Sequence, residues 1–505
     1  MRINWRRQHR WSSLVVMAFL ALLCVSGIML NHREALAGCE VSRAALPPFY
    51  RFHDWNGGLM RGTLRLAERE GAGKVAVYGV NGIWLADSCG ERFTDFNAGI
   101  PGAAAYRNIR GMVQMRDSTL FALVTEKLYR MDPGSERWRE ERVPMRVRGG
   151  LSDVVCRGDS LVILSRSGLY VAVSPWHEFR YMELEGSEDA YPSQTTAFRA
   201  VWDLHSGRMF GTPGILAVDA IALVLLFLCL GGLALAMFPS IIRRVKRTGH
   251  KRSLAKWMKG TLKRHRKIGV ATFALTVLVC LTGWCLRPPL LIALAKTRVP
   301  AGARSNPWHD KLRMVRYDEP GGRWLLSTSE GFFTLDSLEG KPRRIRTQPP
   351  VSVMGLNVWS RMEDGAWLCG SFSGVYRWDM EQGVVTDYET GEPADLKPGP
   401  PFGKRAVSGY SDDFAAGPLV VTYDRGCTGL TQPEELATLP MPLWNVALEV
   451  HTGRIYFGNS ATYFFIFVAG GLTLWCLLSG LMAARGRKRG RSKRDTLSCP
   501  SRRGT

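Results

Sequence analysis

RQHRWSSLVVMAFLALLCVSGIMLNH at residues 7–32 and KRHRKIGVATFALTVLVCLTGWCLRP at 263–288 are two copies of one pattern. In each, a basic His-Arg pair opens a long apolar run that closes on Ser-Gly or Thr-Gly. His9 stands 18 residues before Gly27, and His265 stands 18 residues before Gly283. A second duplicated element lies ahead of two further apolar runs: LHSGRMFG at 204–211 and VHTGRIYFG at 450–458. Histidine thus recurs at matching places beside four hydrophobic segments. Imidazole is both a metal ligand and a proton carrier, so this recurrence marks candidate chemistry.

A bilayer crossing needs about 20 mostly apolar residues. Segments 12–31, 214–240, 268–294 and 461–484 satisfy that, and Asp219 and Arg287, near the ends of two of them, are their charged residues. Charge then sets orientation. Residues 1–11 hold four Arg and no acid, residues 241–267 hold twelve Lys or Arg and no acid, and residues 485–505 hold nine against Asp495 alone. The net charge of +23 therefore sits in three short segments, and the rest of the chain is close to neutral. Basic residues favour the cytoplasmic side of a bacterial inner membrane. The expected order is a cytoplasmic N-terminus and first span over 1–32, an outer loop over 33–213, a second span over 214–240 and a cytoplasmic loop over 241–267. A third span over 268–296, an outer loop over 297–460, a fourth span over 461–484 and a cytoplasmic tail over 485–505 complete it. This basic charge serves topology and anionic lipid headgroups, so nucleic acid is not an expected partner. Residues 1–38 are expected to stay in place, because Asn31, His32, Arg33 and Glu34 separate the LAGC box at 36–39 from the apolar run.

Both outer loops carry a second repeat. VNGIWLAD (80–87), TEKLYRMD (125–132) and RSGLYVAV (166–173) precede the second span; SEGFFTLD (329–336) and FSGVYRWD (372–379) follow the third, with a weaker echo in YDRGCTGL (423–430). Gly82, Lys127 and Gly168 are 45 and 41 residues apart, and Gly331 and Gly374 are 43 apart. A period of about 40–45 residues with several strands per unit predicts a β-propeller, here one ring assembled from both loops, with two incomplete propellers as the alternative. Three blades alone would expose unpaired strand edges. MGLNVWSRMEDGAWLCGSFSGVYRWD (354–379) resembles the propeller repeat of two-component regulator sensor domains. The fold class expected is therefore membrane α + β: four transmembrane helices in two duplicated pairs, with a periplasmic β-propeller built from two long loops.

The chain's basic-His-Arg opening, Ser/Thr-Gly closing and LHxGR element resemble the PepSY-associated transmembrane proteins, a family that includes iron-regulated membrane proteins and ferric-siderophore reductases. The resemblance covers the spans and their flanks, about a third of the chain. It implies b-type haem on membrane histidines and electron transfer across the inner membrane to a periplasmic acceptor such as a ferric chelate. The small α+β PepSY module usual in that family is not recognisable here.

Haem between helices needs an axial His from each of two helices. His9 with His265, and His205 with His451, are the equivalent pairs; His32 is a third candidate on the outer side, where its counterpart is Pro288. Gly27 and Gly283 are candidate cofactor contacts, and Gly231, Gly232, Gly470, Gly471 and Gly480 are further places where a porphyrin face could approach. The LHSGR and VHTGR segments also fit β-hairpins, in which case His205 and His451 would orient turns. Cys39, Cys89, Cys156, Cys369 and Cys427 fall outside, where one or two disulfides are conceivable. Phosphate loops, nucleotide fingerprints, Gly-x-Ser-x-Gly, HExxH and CxxC are all absent from the sequence. Electrons would then come from a quinone or a separate donor. The competing function is non-enzymatic: a membrane-anchored propeller that binds a periplasmic small molecule or partner protein as a sensor or scaffold.

Overall fold

The computed structural model describes residues 4–66, 73–144, 150–187, 194–245, 248–300, 306–352, 354–397, 403 and 405–496. Cys499 and the end of the basic tail lie outside these residues. The chain divides into two compact units. A helical unit holds residues 1–36, 194–301 and 443–505, and a β unit holds 37–193 and 302–442.

The helical unit contains α1 (Trp5–Asn31), α2 (Ala197–His205), α3 (Gly211–Arg244), α4 (Thr248–Ala271), α5 (Phe273–Cys285), α6 (Leu290–Lys296), α7 (Leu443–Thr452) and α8 (Arg454–Thr496). Among the described residues three spans are long and apolar enough to cross a membrane: α1, the 208–244 segment containing α3, and residues 461–485 of α8. A fourth exists if α4 and α5, bent by 68°, count as one broken span. The third expected span is thus not one helix. The Thr272 hydroxyl bonds back to the Ile268 carbonyl (2.9 Å) at the bend, a contact that competes with the helical ladder. Pro288 and Pro289 then remove two backbone donors between α5 and α6. The basic stretch 241–267 is mostly helical, in the end of α3 and in α4.

Helix boundaries follow local chemistry. The Asn4 side chain accepts the Arg7 N–H (3.2 Å), so α1 starts well before its apolar run. Thr196 caps α2 through the Arg199 N–H (3.2 Å). LHSGR and VHTGR form helix ends rather than hairpins. Gly207 and Gly453, both at φ +77°, take the left-handed conformation that stops α2 and α7 just after their histidines.

The β unit holds five four-stranded antiparallel sheets and a two-stranded sheet (Val407–Ser411 with Leu419–Thr422), besides a short pairing of Glu40–Val41 with Met441–Pro442. The third strands of the five are Gly82–Ala86, Leu128–Met131, Leu169–Val173, Gly331–Leu335 and Gly374–Asp379, each beginning at or just after the repeated Gly or Lys. First strands of successive sheets (Gly62–Arg65, Ile109–Gln114, Leu151–Arg157, Leu312–Asp318, Leu356–Arg361, Val407–Ser411) are neighbours, and the last also lies against the first. The apolar core is divided accordingly. One cluster joins Ile83 of the first sheet to Ile109 and Tyr129 of the second; another joins Phe121 to Leu161 and Tyr170. Val162 and Leu169 meet Leu312 and Phe333, Phe332 meets Leu356 and Trp378, and Val375 meets Val407. Val75 and Val77 meet Leu419 and Val421, which joins the first sheet to the last. YDRGCTGL contributes no strand. The ten described cysteines are all free thiols, so the described residues contain no disulfide.

Polar ties reinforce these seams. Buried Asp153 accepts from Arg316 Nη1 (2.6 Å) and from the Val315 N–H (2.9 Å), linking the third sheet to the fourth. Asp153→Ala leaves both donors without their acceptor. It should cost about 2–4 kcal/mol, read as a lower unfolding midpoint of the detergent-solubilised chain followed by tryptophan fluorescence.

Candidate functional site

The structure brings four of the five singled-out histidines together as two pairs within the helical unit. His9 of α1 faces His265 of α4 with ring centres 6.2 Å apart and planes inclined at 54°. His205, the last residue of α2, faces His451 of α7 at 6.3 Å and 47°. Gly27 of α1 touches His451, so the two pairs are separated by about 18 residues of one helix, on the order of 27 Å at 1.5 Å per residue. That approaches the hydrocarbon thickness of a bilayer, about 30 Å.

Each ring lies on a glycine of a neighbouring helix. A Cβ at Gly480 of α8 would stand 2.9 Å from His9 Cε1, and one at Gly283 of α5 would stand 2.8 Å from His205 Cε1. At Gly27 it would be 3.3 Å from His451 Cε1, and at Gly231 of α3 it would be 3.4 Å from His265 Nδ1. The missing side chain does more than make room. In an α-helix the carbonyl of residue i−4 points at the N–H of residue i, so glycine at i uncovers that carbonyl. Three histidines use it. His9 Nδ1–H donates to Cys476 O (3.0 Å), four residues before Gly480. His205 Nδ1–H donates to Val279 O (3.1 Å), four before Gly283, and His451 Nδ1–H to Leu23 O (3.1 Å), four before Gly27.

A carbonyl only accepts, so the proton must sit on Nδ1 and the Nε2 lone pair is left available. The residue before the glycine strengthens this arrangement. Ser26 donates its hydroxyl to Leu22 O (2.6 Å) and its oxygen accepts from His451 Nδ1 (3.0 Å). Thr282 does the same with Leu278 O (2.8 Å) and His205 Nδ1 (3.1 Å). Gly231 follows Leu230 instead, and the Nδ1 of His265 is buried with no partner among the described residues. Among those residues the Nε2 of none of the four histidines is hydrogen-bonded.

His32 joins neither pair. Its Nε2 lies 2.8 Å from Asp219 Oδ2, and Asn31 Nδ2 donates to the other carboxylate oxygen (2.8 Å), which ties the end of α1 to α3. Gly470 lies against Trp284 rather than a histidine, with a Cβ placed 2.2 Å from Trp284 Cδ1. Gly27, Gly231, Gly283 and Gly480 therefore each receive an imidazole ring. The exposed carbonyls escaped the sequence reading. Their signal was the hydroxyl-glycine ending itself, which recurs as Ser479-Gly480. His9 and His265 belong to opposite duplicated halves, as do His205 and His451, and every ring lies on a glycine of the other half.

Beside His9 and His265 lies a cavity of about 540 Å³, walled by α1, α3, α4, α5 and α8. Taken together, these features define a multi-pass membrane protein whose helices carry two paired-histidine sites. The chain belongs to the family of the PepSY-associated TM region, whose model matches residues 165–487. No curated protein matches the sequence. Solved structures similar to it include two chains of the extracellular domain of BT4673 from B. thetaiotaomicron, described in one case as a hybrid two component system and in the other as a one component system. They align over 73% of this chain at 10% and 9% identity with a TM-score of 0.35, and this chain spans 32% of their length.

Closing a glycine cradle should displace its ring. Gly283→Ala and Gly480→Ala should each cost about 1–3 kcal/mol through overpacking, while Gly232→Ala, whose Cβ would be 3.8 Å from His265 Cε1, should stay within about 0.5 kcal/mol. Thermal unfolding of the three variants in detergent checks the order.

Proposed function

We propose that this chain is a bacterial inner-membrane protein that holds two b haems on His9–His265 and His205–His451 and carries electrons between the membrane faces toward a periplasmic acceptor such as a ferric chelate. The observation that carries the reading is the spacing within the pairs. The rings of each pair face one another with centres 6.2 and 6.3 Å apart, so His9 with His265 and His205 with His451 would each hold one haem iron between two imidazoles. The residues also fit the group chemically. Nδ1 protonation leaves Nε2 to bind iron, and backbone acceptors orient the rings as outer-shell partners do at metal sites. Each site offers two histidines, the number of axial ligands a haem takes from a protein.

When bound, haem supplies one-electron chemistry at a potential set by its axial ligands and surroundings. This chain's part is to fix the rings. Leu23, Val279 and Cys476 carbonyls keep the Nδ1 protons in place, while Gly27, Gly231, Gly283 and Gly480 let the imidazoles approach the helices closely. With the basic segments facing the cytoplasm, both termini and the His9–His265 pair lie at the inner face. His205–His451 then lies toward the periplasm, and the six sheets form a single periplasmic propeller. The donor is a quinol or a separate reductase.

The sensor or scaffold reading has one observation in its favour: the β unit is large, with each core seam shared between adjoining sheets. A reduced-minus-oxidised absorption spectrum with a pyridine haemochrome count separates the two. The expected result is a b-type spectrum with two haems per chain, falling to one in His265→Ala or His451→Ala and unchanged in His32→Ala. A colourless protein from haem-competent cells would leave the propeller as the functional part.

A further inference from the structure

We infer that the cavity beside His9 and His265 is shaped for a flat amphipathic dicarboxylate, an iron porphyrin whose two carboxylates are held by Arg6, Arg10 and Arg266. The inference rests on the function proposed above and names the positioning residues of its inner site.

The cavity falls within the about 300–1,000 Å³ usual for small-molecule sites. Its wall changes character along its length. Arg6 and Arg10 of α1 and Arg266 of α4 line one end; Leu20, Leu225 and Cys229 line the other. From Arg6 to Leu20 is about 21 Å along α1 at 1.5 Å per residue. No acidic side chain lines the cavity, and among the described residues none of the three guanidinium groups has an ion-pair partner. A planar fork of donors is the geometry that pairs with a carboxylate. Three requirements on the ligand follow. One edge must be anionic, the opposite edge must be apolar, and the body must be thin enough for imidazoles with centres 6.2 Å apart. An anionic phospholipid meets the first two only, and a neutral quinone meets the second. A metalloporphyrin with two carboxylates on one edge meets all three.

The test uses the full chain carrying His451→Ala, so that only this site is read, produced without haem and placed in lipid nanodiscs. Iron protoporphyrin and its dimethyl ester, which lacks the two carboxylates, are titrated in turn and followed by the low-spin Soret band. The acid should bind about tenfold more tightly or better. Adding Arg10→Gln and Arg266→Gln should bring the acid down to the affinity of the ester and leave the ester unchanged. Equal affinity for acid and ester in the arginine-intact chain overturns the inference. If that preference survives the arginine changes while co-purifying phosphatidylglycerol is lost, the arginines hold lipid phosphate and the inference also falls. If neither porphyrin gives a low-spin spectrum, the proposed function itself fails. Should the arginine variant not fold, the acid–ester comparison still decides.

Discussion

The helical unit depends on one hydrogen bond repeated with small variations: an imidazole N–H inserted onto a helix carbonyl that a glycine has left bare. Neither partner is strong alone, since a helix carbonyl already accepts its own ladder bond and histidine in an apolar bundle loses its hydration. Together they orient the ring and fix its tautomer at the same time. The helices must approach closely where the glycines stand, as small residues allow in membranes. Ser26 and Thr282 follow from that constraint, because a hydroxyl bonded back to its own helix places a spare acceptor beside the exposed carbonyl, whereas Ser479 donates to the exposed Cys476 carbonyl itself.

The one exception shows what the others contribute. His265 sits on Gly231 with Leu230 in the hydroxyl position, and its Nδ1 is buried without a partner. Its ring is therefore the least restrained of the four. It also borders the cavity, whose arginine-lined end lies near the start of α1 and whose apolar end reaches Leu225. A site with one fixed and one adjustable ring can admit a rigid planar ligand without forcing α1 and α8 apart.

Much of this was legible in the chain. The 18-residue spacing from His9 to Gly27 and from His265 to Gly283 matched the first two histidines, and the shared LHSGR and VHTGR segments matched His205 with His451, because duplicated segments take equivalent places. The repeated Gly or Lys before an aromatic step located the third strand of five sheets, since a strand needs a turn at a fixed offset. Other features were not legible. A pattern shows which residues recur and not which helix they face, so the seating of each imidazole on a glycine of another helix could not be read from it. His32 was a third candidate already set apart by Pro288 in the matching place, and its partner Asp219, 187 positions away in sequence, could not be read from the pattern. The third span read as one helix, because a bend between two apolar helices leaves no mark in a hydropathy pattern.

Each of the four paired histidines lies against a glycine of the opposite repeat, and each pair takes one ring from either repeat. A protein of half this length would hold all the parts and complete neither site alone. Two identical copies meeting across a two-fold axis would complete both. Covalent fusion of such copies removes the concentration dependence of assembly, and it lets the two faces of the site diverge, as Gly231 and Gly480 with their different preceding residues already have.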